Sequence, residues 1–556
     1  MKIHKPFFLL SFENKNSPMK TAPTFFKTYC CLALLVMACS TKPKSPYANS
    51  VIATAHPLAT QAGEAIFAQG GNAFDAAIAA AFTLSVVEPS MSGIGGRLQA
   101  IYQTSGGNIA GVDATTEVPE NYAEPKKKYA YGYPTIGIPG VVAGLIKLHQ
   151  EQGSLPLAVL MAPSINLAEQ GFELLPGEAL RQAGVVDQLK EFEGTRQYFL
   201  KSDSSTLKPG ERLIQKDLAQ VLKKIATEGR RGFYEGEIAQ KMVDDIQAHG
   251  GILTLDDLKN YTARSSRILN GMYQGHTIYS PFLPSYGAIT IQILQILDHL
   301  SPSKSEEEWV QQLGKATEIA YRYRNFQEND DSLATILSYE KAAQWAKQIQ
   351  SNRVALTRLI DDSNAVPVSW TSIDGHTTHL TAADQWGNSI ALTQTVGPTM
   401  GSKVATKGLG FIYAVTLGGY LGSYKPGDRV NSHISPTLVT TPEGKVQIAL
   451  GAAGGSRIVT AITQVLSRYL GQKLTLKQAM LLPRVYPYED SLWIENHSEI
   501  EEFNATFDTT TVPVKYIDEI AKFGRVHAVA KAPDGAMWIG AADPDWEGTT
   551  ASYAKE

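Results

Sequence analysis

The sequence predicts an α+β fold, in which helices and β-strands alternate along one long chain. Residues 73–87 form an Ala-rich run that is typical of a closely packed helix. Residues 377–396 show β-forming residues with period two, interrupted by a turn-forming stretch at residues 384–388. Residues 446–458 are typical of a strand, a Gly-rich turn and the start of a helix. Helix-forming and strand-forming patterns therefore occur in the same chain.

Composition and charge exclude several classes of protein. The chain has 556 residues, of which 43% are hydrophobic and 19% charged, so it can bury a large core. Its net charge is -4 and its isoelectric point is near 6.3. Because basic residues are not in excess, we predict no nucleic-acid partner. The three cysteines all lie within the first 39 residues, and no His-Glu-x-x-His spacing occurs. We therefore predict no disulfide framework, no metal and no cofactor.

The first 50 residues have the features of an export signal followed by a tether. Residues 1–38 are the predicted signal segment, and Met19 is an alternative start because a basic region and a short apolar run follow it. The run ends at Val36-Met37-Ala38-Cys39-Ser40, which resembles a bacterial lipobox. Cys39 is therefore the predicted lipidation site, with a plain signal peptide as the alternative. We expect a tether over residues 39–50, export to the periplasm and membrane attachment through Cys39.

The next 300 residues predict helices packed on a few strands. We predict strands at residues 51–54, 98–102, 109–112 and 276–279, and helices at residues 57–69, 73–87, 141 onward and 288–300. The stretches 155–300 and 305–350 are otherwise largely helical. A glycine loop at residues 88–96 lacks the spacing of a nucleotide-binding loop, so we favour a turn that needs close backbone approach.

The second half contains two stretches whose residues could take part in catalysis. Thr377 lies where a loop enters a strand, and cleavage before it would place a nucleophilic hydroxyl beside a free α-amine. A Thr-rich strand start is the alternative. In the strand–turn–helix of residues 446–470, Ser456 is a predicted N-cap. The amides of Gly454 and Gly455 would suit a phosphate or an oxyanion, with a tight packing turn as the alternative.

These stretches, taken together, resemble the γ-glutamyltranspeptidases (glutathione hydrolases), a family of N-terminal nucleophile hydrolases. The resemblance runs from about residue 49 to about residue 548, through landmarks that keep the family's order. They are residues 56–63, 70–77, 87–96 (VEPSMSGIGG), 137–145, 167–172, 250–258, 377–380 (TTHL), 435–437 (SPT), 454–458 (GGSRI) and 542–544 (ADP).

The resemblance implies a four-layer αββα sandwich made by a precursor that cuts itself between His376 and Thr377. The large part, residues 51–376, and the small part, residues 377–556, would stay interleaved in one domain. Thr377 would be the nucleophile, Thr395 its hydrogen-bonding support, and Gly454 and Gly455 the oxyanion hole. The implied partners are a small peptide or amide substrate, with water or an amine as acceptor, and the two fragments themselves.

The residues that hold the glutamyl group in this family are mostly replaced. Thr115 stands where the family has an arginine that grips the α-carboxylate, and Gly397 stands where it has an asparagine. The family's acidic stretch that binds the α-amino group is Ala-Val-Thr-Leu-Gly-Gly here, at residues 414–419. Of the family's serine pair, Ser432 remains and His433 replaces the second serine. A neutral hydroxyl at Thr115 cannot replace a bidentate guanidinium.

Arg97 also differs from the family pattern, and it could compensate for the missing carboxylate-binding arginine. It follows Gly95-Gly96 where the family continues with glycine, and it could anchor a carboxylate from another wall of the site. A salt-bridged or surface arginine is the alternative.

Three functions fit these observations. The first is a self-processing exported γ-glutamyltransferase or hydrolase that cleaves glutathione-like amides. The second keeps the acyl-transfer chemistry on a different amide, namely another γ-linked peptide, a poly-γ-glutamate or an acylated amine. The third is an inactive lipoprotein that uses the same fold for binding. Retention of Thr377, Thr395, Gly454 and Gly455 favours the first two.

Overall fold

Two antiparallel sheets, stacked face to face and covered by helices on both outer sides, form the body of the protein. The computed structural model describes residues 49–351, 375–419, 423–488, 491–497, 500, 513–533 and 535–553. The predicted signal segment, the predicted tether up to residue 48 and Cys39 lie outside the described residues. No helix in the described part combines the length and apolar character needed to cross a membrane.

The strands are numbered in chain order. They are β1 (Ser50–Thr54), β2 (Arg97–Gln103), β3 (Ile109–Ala114), β4 (Phe172–Glu173), β5 (Arg212–Leu213), β6 (Arg264–Ser265), β7 (Ile268–Tyr273), β8 (His276–Pro281), β9 (Gly375–Ala383), β10 (Ser389–Pro398), β11 (Thr437–Thr440), β12 (Val446–Ala453), β13 (Val485–Tyr488), β14 (Ser491–Glu495), β15 (Val514–Ile517), β16 (Arg525–Lys531), β17 (Trp538–Ala542) and β18 (Thr549–Tyr553).

The helices are numbered in the same way. They are α1 (Pro57–Ala68), α2 (Ala73–Val87), α3 (Val141–Gln152), α4 (Leu157–Gln170), α5 (Pro176–Ala183), α6 (Val186–Leu189), α7 (Glu193–Phe199), α8 (Lys216–Glu228), α9 (Arg231–Tyr234), α10 (Gly236–Ala248), α11 (Leu255–Asn260), α12 (Gly287–Asp298), α13 (Glu306–Arg322), α14 (Asp330–Ile336), α15 (Tyr339–Ser351), α16 (Arg457–Leu466) and α17 (Leu476–Leu481). Short 3₁₀ segments lie at Tyr133–Thr135 and Arg324–Glu328, and a π-helical turn at Ser467–Gly471 follows α16.

Each sheet contains strands from both sides of Thr377. The seven-stranded sheet has the order β18-β1-β9-β10-β2-β3-β6, so β9 and β10 lie between β1 and β2. The six-stranded sheet has the order β17-β16-β12-β11-β8-β7. All pairings in these two sheets are antiparallel.

Alternating side chains divide the core into three apolar layers. Odd-numbered residues of β1, such as Val51, pack with Leu438 and Ala449 of the other sheet, which fills the space between the sheets. Ile52 points the other way, into a cluster with α1, α2, α3 and α4. The second sheet packs its outer face on α12, α13, α15 and α16. Helix, sheet, sheet and helix therefore stack as the predicted αββα sandwich.

The Ala-rich helix is fixed at its start by two buried carboxylates. Asn72 caps α2 by accepting from the amides of Phe74 and Asp75, and Asp75 returns the bond to the Asn72 amide. Asp384, in the β9–β10 turn, accepts from the Ala73 amide at 2.8 Å. All 15 residues of α2 are buried, so small side chains allow the close packing that the sequence predicts.

Most predicted elements agree with the structure, but several strands have no counterpart in the sequence analysis. They are β4 to β7, β11 and β13 to β18. Ser456 is the N-cap residue of α16, as predicted, but its side chain makes no capping hydrogen bond. Its hydroxyl instead accepts from the Tyr486 hydroxyl at 3.1 Å. The predicted helix over 458–470 ends as an α-helix at Leu466 and continues as the π-helical turn.

Candidate active site

Thr377 lies at the beginning of β9, on the side of the strand that faces the other sheet. Its Oγ1 donates to Thr395 Oγ1 at 3.2 Å, and both side chains are buried. The Thr395 hydroxyl also accepts from the Gly397 amide at 2.9 Å, which fixes the orientation of Thr395. His376 is part of the same strand, where its backbone pairs with Gly397. The structure therefore brings together the two threonines that the sequence proposes as partners.

A β-bulge explains how a neighbouring strand aims Thr395 at Thr377. The pairing of β10 with β9 shifts between Gln394 and Gly397, so Thr395 and Val396 together oppose the single residue Thr377. A bulge of this kind bends a strand and redirects a side chain. Gly397, with φ +94°, completes the bulge in a conformation that favours glycine.

The Gly454-Gly455 turn lies beside this threonine pair. Ala453, the last residue of β12, pairs with Arg525, and Arg525 Nη2 donates to the Thr377 carbonyl at 3.2 Å. Gly454 and Gly455 have φ values of +133° and +57°, so the turn depends on glycine. Within the described part of the chain, neither amide donates a hydrogen bond to another residue. Both donors therefore remain available for an oxyanion.

A buried ionic network contacts the residue that follows the nucleophile. Thr378 Oγ1 donates to Glu88 Oε2 at 2.6 Å, and Glu88 also pairs with Arg181 at 3.4 Å and with Arg525 at 3.8 Å. Glu178 joins through a 2.8 Å bond from Arg181. Burial raises the pKa of Glu88, while the two guanidinium groups and the Thr378 hydroxyl oppose that shift. Such a network of buried charges and hydrogen bonds holds its members in fixed positions.

A second buried cluster supports the Gly454 turn from behind. Arg484 donates to the Gly524 carbonyl and, at 2.5 Å, to Asp543 Oδ2. Gly524 packs so closely that a Cβ built on Gly454 would lie 2.8 Å from its Cα. Burial raises the pKa of Asp543 to about 7 although Arg484 opposes the shift. Asp543 therefore serves to fix this turn through Arg484.

Glu495, His497 and Asp545 form a group whose ligand atoms all lie within 4.8 Å of one another, the one such group found among the described residues. His497 Nε2 lies 3.1 Å from Glu495 Oε1 and 3.0 Å from Asp545 Oδ1. Burial alone would lower the pKa of His497, but the two carboxylates outweigh it and raise the pKa to about 10. A protonated imidazole thus bridges the carboxylates at neutral pH, and the group is explained as an ion pair.

Arg97 lies next to the threonine pair. It is the partner of Thr395 in the pairing of β2 with β10, and its side chain is buried. Arg97 Nη2 donates to the Val415 carbonyl at 2.8 Å, and a Cβ built on Gly397 would lie 3.4 Å from it. The surface alternative is therefore wrong. The guanidinium occupies space beside the position where the family has an asparagine side chain.

Thr115 is buried away from solvent. Its hydroxyl accepts from Gln99 Nε2 at 2.7 Å, and its amide donates to Asp113 Oδ1 at 3.0 Å. The neighbouring cation is Arg429, which pairs with Asp113 at 2.9 Å and with Glu117 at 3.1 Å. These contacts argue against direct binding of a substrate carboxylate at Thr115.

Ser432 and His433 lie in a half-buried segment near the Gly454 turn. The His433 ring packs 4.7 Å from Tyr286 and 6.2 Å from Tyr321, and the Tyr321 hydroxyl donates to the Ser456 carbonyl at 2.9 Å. Burial, with help from two arginines, lowers the pKa of His433 to about 4, so its ring is neutral at neutral pH. These arginines are Arg324, which precedes α14, and Arg457, which begins α16. Both arginines therefore lie close enough to His433 to act on its protonation.

The stretch at residues 414–419 packs against the bulge without supplying an acid. The Val415 amide donates to the Val396 carbonyl at 3.1 Å, and the Ala414 amide donates to Gly95. No Asp or Glu occurs in these six residues. This segment therefore offers no carboxylate to an ammonium group.

Sequence analysis missed the bulge, the contact of Arg525 with Thr377 and the Glu88 network. Glu88 belongs to the 87–96 landmark, but its role depends on Arg525, which is 437 positions further along the chain. Thr378 belongs to the 377–380 landmark and follows the proposed nucleophile. No spacing in the sequence connects these residues.

Comparison with known proteins agrees with this fold. The model of the family described as Gamma-glutamyltranspeptidase matches residues 59–553. A glutathione hydrolase proenzyme of Pseudomonas sp. (strain A14) is 30% identical over 507 residues, covering 84% of this chain and 85% of the relative. The Acylase ACY 1 proenzyme of Pseudomonas sp. (strain SE83) is 31% identical over 489 residues, covering 81% and 84%.

A solved structure shows the same architecture. The cephalosporin acylase from Bacillus halodurans superposes with a TM-score of 0.81 at 24% identity, covering 92% of this chain and 97% of that one. The two curated relatives above are named as enzymes, which disfavours the alternative of an inactive binding lipoprotein. The chain belongs to the γ-glutamyltranspeptidase family and is an acyltransferase or amidohydrolase of the N-terminal nucleophile type.

Proposed function

We propose that the chain cuts itself between His376 and Thr377 and then uses Thr377 to hydrolyse or transfer an acyl group from an amide. Cleavage would leave Thr377 with a free α-amine. That amine takes the proton from Thr377 Oγ1 as the oxygen attacks the substrate carbonyl, and gives it to the departing amine. Water or a second amine then releases the acyl group. The relatives named proenzymes support the processing step.

One observation carries this proposal, namely the 3.2 Å contact between Thr377 Oγ1 and Thr395 Oγ1. The Gly397 amide donates to the same hydroxyl of Thr395 and so helps to hold the side chain that accepts from Thr377. The amides of Gly454 and Gly455 would receive the negative charge that develops on the carbonyl oxygen.

For the substrate, we propose an amide whose acyl group carries a carboxylate but no α-ammonium group. The glutathione-like γ-glutamyl substrate is the competing candidate. An ammonium needs an acidic partner, and residues 414–419 offer none. A carboxylate is favoured by the buried Arg97 beside Gly397 and by Arg457, which lies close enough to His433 to lower its pKa.

Three p-nitroanilides of matched length test this substrate class. We expect kcat/KM for the glutaryl anilide to exceed that for the γ-glutamyl anilide and that for the pentanoyl anilide, each by about 10- to 100-fold, as for loss of a charge-assisted hydrogen bond. The glutaryl compound lacks only the amino group of the first competitor, and the pentanoyl compound lacks the terminal carboxylate. Preference for the γ-glutamyl anilide would show that an acid outside residues 414–419 binds the ammonium.

Two arginine variants locate the carboxylate anchor. Arg97→Met should lower glutaryl turnover toward the pentanoyl value while leaving pentanoyl turnover unchanged. Arg264→Met is the control, because Arg264 is an exposed residue paired with Glu117 at 3.0 Å. Equal losses on both anilides in Arg97→Met would instead indicate a structural role for Arg97.

We also propose export to the periplasm and membrane attachment through Cys39. Support comes from the basic and apolar character of residues 19–37 and from the lipobox-like stretch that ends with Cys39. In cell fractions, the wild-type protein should follow the membranes, and Cys39→Ser should move it to the soluble periplasmic fraction. A soluble wild-type protein whose first residue lies at another position would favour the plain signal peptide.

A further inference from the structure

Cleavage before Thr377 would turn the nucleophile into a chain end. Ends of strands fray, because they have lost the covalent restraint on one side. A nucleophile must nevertheless be held within a fraction of an ångström of its productive position. Residues 377 and 378 therefore need anchors that do not depend on the peptide bond to His376.

Two buried side chains supply such anchors. Arg525 Nη2 donates to the Thr377 carbonyl at 3.2 Å, and Glu88 Oε2 accepts from Thr378 Oγ1 at 2.6 Å. Arg525 also contacts Trp546, whose ring centroid lies 4.5 Å from the Arg525 guanidinium and 4.3 Å from that of Arg181. Neither anchor uses residues before the cleavage point in β9.

We propose that Arg525 and Glu88 are positioning residues, which hold the free end of β9 after cleavage, and that the charge of Arg525 acts directly on the Thr377 α-amine. This inference rests on the proposed self-cleavage. It assigns to Arg525 a role in keeping the amine able to accept a proton.

The charge of Arg525 is only partly compensated where it meets Thr377. Its nearest contact with Glu88 is 3.8 Å, beyond hydrogen-bond distance, and Arg525 Nη1 has no hydrogen-bond partner among the described residues. The shortest bond of Glu88 goes to Thr378 instead. The α-amine belongs to the same residue as the bonded carbonyl, so it lies close to the guanidinium. A nearby cation disfavours the protonated amine and lowers its pKa below the usual value of about 7.7–8.0.

Several other charged and titratable groups lie around this end of β9, and all of them except Glu88 are the same in every variant below. His379 and His527 are buried, and burial lowers the pKa of both, so they are neutral at neutral pH. The groups that surround Thr377 and Arg525 are Glu88 after α2, Arg97 on β2, Glu178 and Arg181 on α5, His379 on β9, His527 on β16, and Asp543 and Asp545 after β17.

The amine can be titrated without knowledge of the substrate. Traces of acetic anhydride are added to the purified, processed protein at a series of pH values, and acetylation of the Thr377 peptide is measured by mass spectrometry. The proteins compared are wild type, Arg525→Met, Arg525→Lys, Glu88→Gln and Arg468→Met. Arg468 is the matched control, because it is equally buried but pairs with Glu306 at 2.9 Å and packs on Trp309.

Loss of the positive charge should make the amine more basic. We expect Arg525→Met to raise the midpoint of amine titration by about one pH unit, and Arg525→Lys to restore most of the wild-type value. Glu88→Gln removes a negative charge and should shift the midpoint in the opposite direction. Arg468→Met should leave the midpoint unchanged, even if it destabilises the fold. On any anilide that is turned over, the acid limb of kcat/KM should move with the midpoint.

The outcomes separate this inference from the proposed function. A protein without a free amine at Thr377 would overturn the self-cleavage and this inference together. A processed protein whose amine titrates identically in wild type and Arg525→Met would overturn the inference alone. If Arg525→Met does not fold, unequal midpoints in wild type and Glu88→Gln still support it, and equal midpoints contradict it.

Discussion

Replacing Thr377 by alanine should give a single uncut chain with no measurable amidase activity. The substitution removes the only hydroxyl on the residue that would both open the precursor and form the acyl-enzyme. Loss of a catalytic nucleophile costs about a millionfold in well-studied hydrolases. Denaturing electrophoresis reports cleavage, and turnover of the glutaryl and γ-glutamyl anilides reports activity.

Thr377→Ser is the matched variant. It keeps the hydroxyl and loses only a methyl group, so it should still cut itself and retain part of the activity. A Thr377→Ala protein that is nevertheless cut at the same bond would show that another group opens the chain, and the assignment of Thr377 would fail.

Replacing Gly454 by alanine should lower kcat by at least about 10²- to 10³-fold, the usual effect of losing one oxyanion-hole donor. Gly454 has φ +133°, and a Cβ would lie 2.8 Å from Gly524 Cα. The turn must therefore shift, which moves the amides of Gly454 and Gly455 away from the developing charge. Single-turnover measurements on processed protein isolate this effect from any effect on cleavage.

Gly444→Ala is the control that separates the steric clash of a Cβ at Gly454 from the backbone strain of a positive φ. Gly444 has φ +78° but no atom within 4 Å of a built Cβ, and it lies in the turn between β11 and β12. The same substitution there costs about 1–3 kcal/mol of stability through strain alone and should leave kcat unchanged. Equal losses of kcat in the two variants would mean that the Gly454 turn has no special part in catalysis.

Local patterns predicted the main elements well. The apolar alternation around Leu380 and Ile390 predicted β9 and β10, and the Ala-rich run predicted α2. These elements are specified by neighbours in sequence, through side-chain alternation and capping. β7 was missed because it follows a long helical region and because Gly271 interrupts the alternation of apolar and polar residues that would indicate a strand.

The parts of the site that were missed depend on distant residues. Ser456 has the residue type of an N-cap, yet the packing of Tyr486 draws its hydroxyl away from the helix. The bulge at Thr395 is visible only in the register between two strands. Arg525 meets Thr377 because β16 and β12 are neighbours in the second sheet. Nothing in the local sequence around Arg525 distinguishes it from a surface arginine.

The intact mass of the purified mature protein under denaturing conditions tests the central claim most directly. We predict two fragments, the smaller one beginning at Thr377 and ending at Glu556. Thr377 would then carry the free amine that the mechanism requires. A single mass for the whole mature chain, in protein that nevertheless turns over an anilide, would contradict the account, because the nucleophile would have to be a different residue.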